Sequence, residues 1–248
     1  STSTAGATYT PAAVYPADTY YWRVTGQDNA GNSNTTASRT LYVDTIVSVS
    51  LARPEDGHET KNTTPTFTWT GTGDTYTLQV VRLGILYDSK TTTSLTYTPA
   101  AVYPTETYAW RVIAQDDAGN YETTSYRSVW VDTAVTVSLA RPADNHETKN
   151  ATPQMAWSGD GDTYTVQVSK QTSFGTIYDS TTTTGLNYTP GSVYPQDTYY
   201  WRVIARDDAG NYETTAGRTM VVDTTVTVSS TSPSDSAETN DTTPTFTW

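Results

Sequence analysis

Hydrophobic and polar residues alternate along most of this 248-residue chain. In Val47-Ser48-Val49-Ser50-Leu51, Tyr76-Thr77-Leu78-Gln79-Val80 and Tyr108-Ala109-Trp110-Arg111-Val112, every second side chain is large and apolar. That is the period of a strand with one buried face. Followed through one stretch, the pattern predicts strand A at 47–51, B at 66–69, C at 76–80 and C′ opening at 85–87. It predicts E at 95–97, F at 107–114 and G at 126–131. Turn formers separate these runs, as in Arg53-Pro54-Glu55-Asp56-Gly57, Gly71-Thr72-Gly73-Asp74 and Asp116-Asp117-Ala118-Gly119-Asn120. Seven short strands with a turn every 8–12 residues or about that predict an all-β, Greek-key β-sandwich.

The same pattern recurs. Trp22-Arg23-Val24 returns at Trp110 and Trp201, spacings of 110 − 22 = 88 and 201 − 110 = 91. Val43-Asp44-Thr45, Val131-Asp132-Thr133 and Val222-Asp223-Thr224 keep that phase, as do Trp69, Trp157 and Trp248. A repeat of about 90 residues is domain-sized, so the fold class is tandem sandwiches. The three extra residues of the later repeat fall between Val168 and Tyr178, where a hairpin loop would absorb them. Boundaries after the Val-Asp-Thr segments give the back part of a repeat at 1–45, complete repeats at 46–133 and 134–224, and opening strands at 225–248. Trp248 falls inside a predicted strand, which leads us to expect a window on a longer array.

Period-2 alternation puts Tyr108, Trp110 and Val112 on one face of strand F. The expected core is therefore aromatic: Trp22, Trp69, Trp110, Trp157 and Trp201, with Tyr20, Tyr108 and Tyr199. Trp69 is expected against Trp110 and Trp157 against Trp201. Phe67, and alternatively Leu78 and Val80, are expected from the opposing sheet.

Composition narrows the chemistry. With no cysteine, disulfides, thiolate zinc sites and cysteine nucleophiles are excluded. The two histidines, His58 and His146, are repeat equivalents, so a histidine-based active site would have to be built twice. A net charge of −12 makes nucleic acid and anionic membranes poor partners. No apolar run approaches the roughly 20 residues of a membrane helix. No catalytic set is found; the neighbouring carboxylates Asp116 and Asp117 lie on a turn with nothing to desolvate them, so no enzyme is expected.

Val102-Tyr103-Pro104-Thr105-Glu106-Thr107-Tyr108 resembles the fibronectin type III signature that precedes strand F and forms a tyrosine corner. Val14, Pro16 and Tyr20 match it, as do Val193, Pro195 and Tyr199, and Trp69 resembles that family's strand-B tryptophan. The Pro-Glu-Asp-Gly turn and the Val-Asp-Thr linker are more similar to immunoglobulin-like repeats of bacterial and archaeal surface proteins. Both resemblances imply spacers and adhesive modules outside the cell, with neighbouring copies or other surface proteins as partners. The expectation is a structural segment of a stalk, surface layer or filament. The alternative is a glycan- or surface-binding adhesin module, or an accessory domain of a secreted glycosidase.

Three sets of residues are candidates for chemistry. In a sandwich of this topology, the linker aspartate meets the B–C and F–G loops at the entry pole. Asp44 would then approach Asp74, Asp116 and Asp117, and Asp132 would approach Asp162, Asp207 and Asp208. Several hard oxygens converging at a joint suit Ca²⁺, the one cofactor considered, and the resemblance implies calcium-stiffened joints. The alternative is a metal-free Asp-Ala-Gly-Asn turn. Asn-x-Ser/Thr sequons at Asn34, Asn62, Asn150, Asn187 and Asn240 are candidate glycan sites, and Asn62 and Asn150 coincide in phase. Tyr21, Tyr200 and Trp130 are expected on the outward sheet face, where the tyrosines are read as cross-strand pairs that stabilise a wet sheet face and Trp130 is left open to sugars or another protomer.

Overall fold

A computed structural model describes residues 1–248. The chain divides into two compact units, Ser1–Asp132 and Thr133–Trp248. All regular structure is β. The first unit opens with two short ribbons, β1 (Asp18–Trp22) paired with β4 (Arg39–Val43), and β2 (Thr25–Gln27) paired with β3 (Ser33–Thr35).

A sandwich follows, built from β5 (Val49–Arg53), β6 (His58–Thr60), β7 (Phe67–Gly71), β8 (Thr75–Arg82) and β9 (Ile85–Thr92). It continues with β10 (Thr96–Tyr97), β11 (Glu106–Gln115), β12 (Tyr121–Thr123) and β13 (Arg127–Val131). One sheet has the order β10-β7-β5 and the other β6-β13-β11-β8-β9, with β12 hairpinned onto β11. Predicted A, B, C, C′, E, F and G are β5, β7, β8, β9, β10, β11 and β13. The short strand β6 was not predicted. After the Pro54–Gly57 turn the chain leaves β5's sheet and lays β6 parallel to β13, with His58, Glu59 and Thr60 opposite Val129, Trp130 and Val131.

The second unit repeats this plan with β14 (Val137–Arg141), β15 (His146–Thr148), β16 (Met155–Gly159), β17 (Thr163–Ser169) and β18 (Ile177–Thr183). Its remaining strands are β19 (Asn187–Tyr188), β20 (Asp197–Arg206), β21 (Tyr212–Thr214) and β22 (Arg218–Val222). Its sheets run β14-β16-β19 and β15-β22-β20-β17-β18. Residues 225–248 carry only an isolated bridge, Ser232 to Thr247, in place of the two predicted strands.

Each sandwich buries one aromatic layer. Trp69, Trp110, Tyr108 and Phe67 are all buried in the first, and Trp157, Trp201 and Tyr199 in the second. The expected tryptophan pairs are corrected. Trp110 packs on Phe67, ring centroids 5.0 Å apart, while Trp69 packs on Tyr76 at 5.9 Å. In the second unit Met155 replaces Phe67, and Trp157 packs on Tyr164. Leu78 and Val80 are also corrected: they sit on β8 beside β11, in the same sheet as Trp110. Trp22 keeps 48% of its surface exposed, whereas its equivalents Trp110 and Trp201 are fully buried. Its strand, β1, pairs only with β4, and no B-type strand faces it. Tyr20 is partly buried and stacks on Tyr15.

The tyrosine corner is present in all three copies. Tyr20, Tyr108 and Tyr199 hydroxyls donate to the carbonyls of Pro16, Pro104 and Pro195 at 2.9, 3.0 and 2.9 Å. In the complete sandwiches a second tyrosine layer packs on the corner: Tyr87 and Tyr103 around Tyr108, Tyr178 and Tyr194 around Tyr199.

With Trp110 fully buried and no disulfide to hold the first sandwich, truncation leaves a cavity that its rigid strands cannot close. We expect Trp110→Ala to cost about 3–5 kcal/mol in a denaturant melt, against less than 1 kcal/mol, or about that, for exposed Tyr121→Ala.

Candidate functional site

Polar side chains that recur with the repeat gather at three places in each sandwich: the F–G loop, the end of the C′ strand, and the outward face of β8 and β11.

The F–G loop joins β11 to β12 through Asp116-Asp117-Ala118-Gly119-Asn120. Gly119 has φ +91°, a left-handed conformation that glycine adopts without strain. The turn lets one carboxylate organise it. Asp116 Oδ1 accepts the Asn120 N–H and Oδ2 accepts the Asn120 side-chain amide, both at 2.8 Å. The Asn120 amide also donates to the Asp44 carbonyl at 3.1 Å. Asp74 Oδ2 accepts the Asp117 N–H at 2.8 Å. In the second unit Asp207 and Asn211 repeat the first arrangement, and Asp162 accepts the Asp208 N–H at 2.8 Å. The β2–β3 ribbon repeats it too, with Asp28 and Asn32 in its turn. Hydrogen bonds from Asn120 hold the Asp116 carboxyl below its ordinary value of 3.8, and Asn32 does the same for Asp28.

The structure thus brings Asp44, through its backbone, together with Asp74, Asp116 and Asp117, but as a hydrogen-bonded turn. Both Asp116 oxygens are occupied by Asn120, and the Asp44 carboxylate turns back to the Ile46 N–H at 3.1 Å. No group of three or more His, Cys, Asp or Glu side chains is close enough to share a metal. These residues do not fit a calcium ion, which needs six to eight converging oxygens or about that number.

The linker is fastened beyond Asp44 as well. Ser48 and Thr72 exchange backbone and hydroxyl bonds, Ser48 N–H to Thr72 Oγ1 at 3.0 Å and Thr72 N–H to the Ser48 carbonyl at 3.0 Å. Glu122 on β12 accepts the Val49 N–H at 2.8 Å. In the second unit Asp160 takes the place of Thr72, accepting the Thr136 N–H at 2.6 Å, and Glu213 accepts the Val137 N–H at 2.9 Å. Sequence reasoning missed Glu122 and Glu213, although their recurrence 91 residues apart (213 − 122) was visible.

At the C′ strand, one half-buried carboxylate serves two tyrosines. Tyr103 and Tyr97 donate to Asp88 Oδ2 at 2.7 and 3.1 Å, and Tyr194 and Tyr188 to Asp179 Oδ2 at 2.6 and 2.9 Å. Burial, reinforced by the carboxylate, pushes the Tyr103 and Tyr194 hydroxyls well above the ordinary phenol value. They remain neutral donors.

The phase coincidence of the sequons Asn62 and Asn150 has a structural cause. Asn62 Oδ1 accepts the N–H and hydroxyl of Thr64 at 3.0 and 3.2 Å, and Asn150 does the same for Thr152. In the following copy Asp241 does it for Thr243, with no amide at all. The position demands a short side chain with an oxygen acceptor rather than an asparagine. Asn34 lies on β3, Asn187 on β19 and Asn240 before the Asp241 turn, all exposed.

Tyr21 and Trp130 are exposed on outward positions, as expected, while Tyr200 is half-buried. The outward face also carries an unpredicted stack. Arg111 donates from Nε to Gln79 Oε1 at 2.9 Å and lies 4.8 Å from the Tyr126 ring centroid.

Two facing sheets, one adding the A′ strand β6 beside G, are the layout of an immunoglobulin-like domain. Residues 79–133 match the bacterial Ig-like domain family. The Ig-like sandwiches also resemble solved structures. The fibronectin(III)-like modules of Clostridium thermocellum CbhA are 19% identical, with a TM-score of 0.40, covering 71% of this chain and 94% of that one. Domains A168–A170 of titin are 16% identical, with a TM-score of 0.48, covering 83% and 75%. A tetra-tandem repeat from the extending region of a large adhesion protein is 18% identical, with a TM-score of 0.38, covering 84% and 57%. No curated relative matches the sequence significantly. No helix is long and apolar enough to cross a membrane.

Asn120→Ala removes the side-chain amide that donates to Asp116 Oδ2 and to the Asp44 carbonyl, so the melting midpoint at neutral pH should fall by a few degrees. Because the Asp116 carboxyl titrates below 3.8 in the folded state, its bonds stabilise the fold above that pH and are lost as the pH drops through the lowered value. The deficit of Asn120→Ala should therefore shrink in strongly acidic buffer. Thermal melts with EDTA and with excess Ca²⁺ should coincide; a calcium-dependent rise would show that the loop carboxylates serve a cation.

Proposed function

We propose that this chain is a load-bearing spacer segment of an extracellular bacterial surface protein. The observation that carries this reading is the parallel pairing of β6, which follows the chain's entry into the sandwich, with β13, its exit. Pulling on the two ends draws parallel neighbours in opposite directions along their length. Their hydrogen bonds then bear the load together instead of opening one at a time. Side chains reinforce the same seam: Asp56 accepts the N–H and hydroxyl of Ser128 at 2.7 and 2.9 Å, and Arg127 donates to the carbonyls of Ala52 and Pro54.

The second sandwich keeps the device, with β15 parallel to β22, Asp144 on the Thr219 N–H and Arg218 on Ala140 and Pro142. The linker bonds from Asn120, Thr72 and Glu122 suit a shaft whose joints transmit force. The bacterial Ig-like match supports placement at the cell surface. The repeated acids shape turns, which supports a non-catalytic role, and repeats of this kind suit boundaries near 45, 133 and 224.

Single-molecule stretching of the whole chain should give unfolding peaks separated by roughly 30 nm of released contour, the length of about 90 extended residues less their folded span. Glu59→Pro, which interrupts β6, should lower the force of one peak and leave the other unchanged. Equal forces in parent and variant would contradict a load-bearing role for this seam.

A further inference from the structure

The outward face of β8 and β11 carries an arginine held in a fixed pose. Arg111 stands directly opposite Gln79, and its Nε is tied to Gln79 Oε1 at 2.9 Å. In the second unit Arg202 stands opposite Gln167 and is tied to it at 2.8 Å. Each guanidinium also lies against a ring. For Arg111 the ring is Tyr126, the residue before β13. For Arg202 it is Phe174, 4.3 Å away, from the C–C′ loop that is three residues longer in this unit.

The exchange is reciprocal. The residue equivalent to Tyr126 is Gly217 (126 + 91), and a Cβ there would approach the Phe174 ring to 3.0 Å. The two repeats thus supply the ring from different places, and one has surrendered a side chain to make room for it. What both retain is a half-buried guanidinium beside a ring, tied to a glutamine through Nε.

No carboxylate answers it. The chain has 26 acidic residues against 14 basic ones, yet its ion pairs are Arg53–Glu55, Arg82–Glu106 and Lys170–Asp197, none involving Arg111 or Arg202. The neighbouring outward positions are neutral: Ala109 and Ile113 on β11, Thr77 on β8 with its hydroxyl 3.0 Å from that of Thr91 on β9. The second unit repeats the hydroxyl pair as Thr165 and Thr182 at 2.9 Å.

From this charge complementarity we infer that the outward C–F face of each sandwich is a docking site for a uronic-acid-containing polysaccharide. The sugar carboxylate meets the guanidinium fork, a pairing that planar arginine makes with two parallel bonds and lysine does not. Ring hydroxyls meet the glutamine amide and the threonine pair. A glycan is favoured over a protein carboxylate for two reasons. The fork is surrounded by amide and hydroxyl groups that a sugar ring can saturate, and the same arrangement is built in both sandwiches, so it is a feature of the repeat rather than of one loop. The chain's overall acidity disfavours densely charged polyanions at long range, so binding rests on contact rather than on field. This inference is independent of the spacer reading: a shaft can bear load with the face empty.

The test is calorimetric titration of the whole chain with oligogalacturonate, with neutral dextran and with polyglutamate. Oligogalacturonate should bind, the other two should not. The double variant Arg111→Lys/Arg202→Lys should lose affinity about tenfold or more with its circular dichroism and melting midpoint unchanged, because charge survives and the fork does not. Phe174→Ala, which frees Arg202 from its ring without removing any charge, should weaken binding by a smaller factor. The inference is overturned by absence of oligogalacturonate binding, by equal binding of polyglutamate, or by unchanged affinity in the lysine variant.

Discussion

Both complete sandwiches close on the side chains that strand F sends inward. On β11 these are Tyr108, Trp110 and Val112, all fully buried. Trp110 reaches across to Phe67 on the other sheet, so a single ring joins the two layers near the middle of the domain. A repeat of this size has a high surface-to-volume ratio and here no disulfide, so burial of large aromatic surface must supply what a cross-link would otherwise provide. The tyrosine corner and its surrounding tyrosines extend that layer to the end of strand F, where Asp88 satisfies the phenols that burial has removed from water. Arg202 and its equivalent are held from the other side of the same strand. The core, the corner and the outward stack therefore share one element, and each depends on F keeping its register.

The loops use polar chemistry in a comparable division of labour. One acidic residue per turn accepts several backbone or amide donors, as Asp116 does from Asn120 and Asp56 from Ser128. These carboxylates thus shape the turns that carry them. Aspartate is there because a short, ionised acceptor can hold a tight turn, and the carboxyls at Asp28, Asp56 and Asp116 are kept below their ordinary value by those bonds. Asn120 extends the turn to the linker by also meeting the Asp44 carbonyl, so the loop both closes itself and fastens the incoming chain.

Much of the fold was legible because strands with one buried face print their period on the sequence. β7, β8, β11 and β13 lie within a residue or two of the predicted B, C, F and G strands. What was not legible has physical causes. His58-Glu59-Thr60 is too short to show a period, and a parallel partner 71 residues on (129 − 58) leaves no local mark. The choice of Phe67 over Trp69 as neighbour to Trp110 depends on the stagger of two sheets, which alternation does not encode. The exposure of Trp22 follows from having no facing strand, not from its residue type. At the joint, the sequence placed the right aspartates together but not their orientations, and orientation decides between a metal cage and a turn. The role of Phe174 was concealed differently: its insertion reads as a lengthened loop, and only its place beside Arg202 and Gly217 gives it meaning.

We propose that each complete repeat is a sandwich locked around strand F whose stability does not depend on a bound metal. Native-state hydrogen exchange on the intact chain in the presence of EDTA tests it most directly. The account predicts that the slowest amides lie in β8 and β11 of the first unit and β17 and β20 of the second, exchanging only through global unfolding. Rapid exchange in those strands that becomes slow when calcium is added would contradict it.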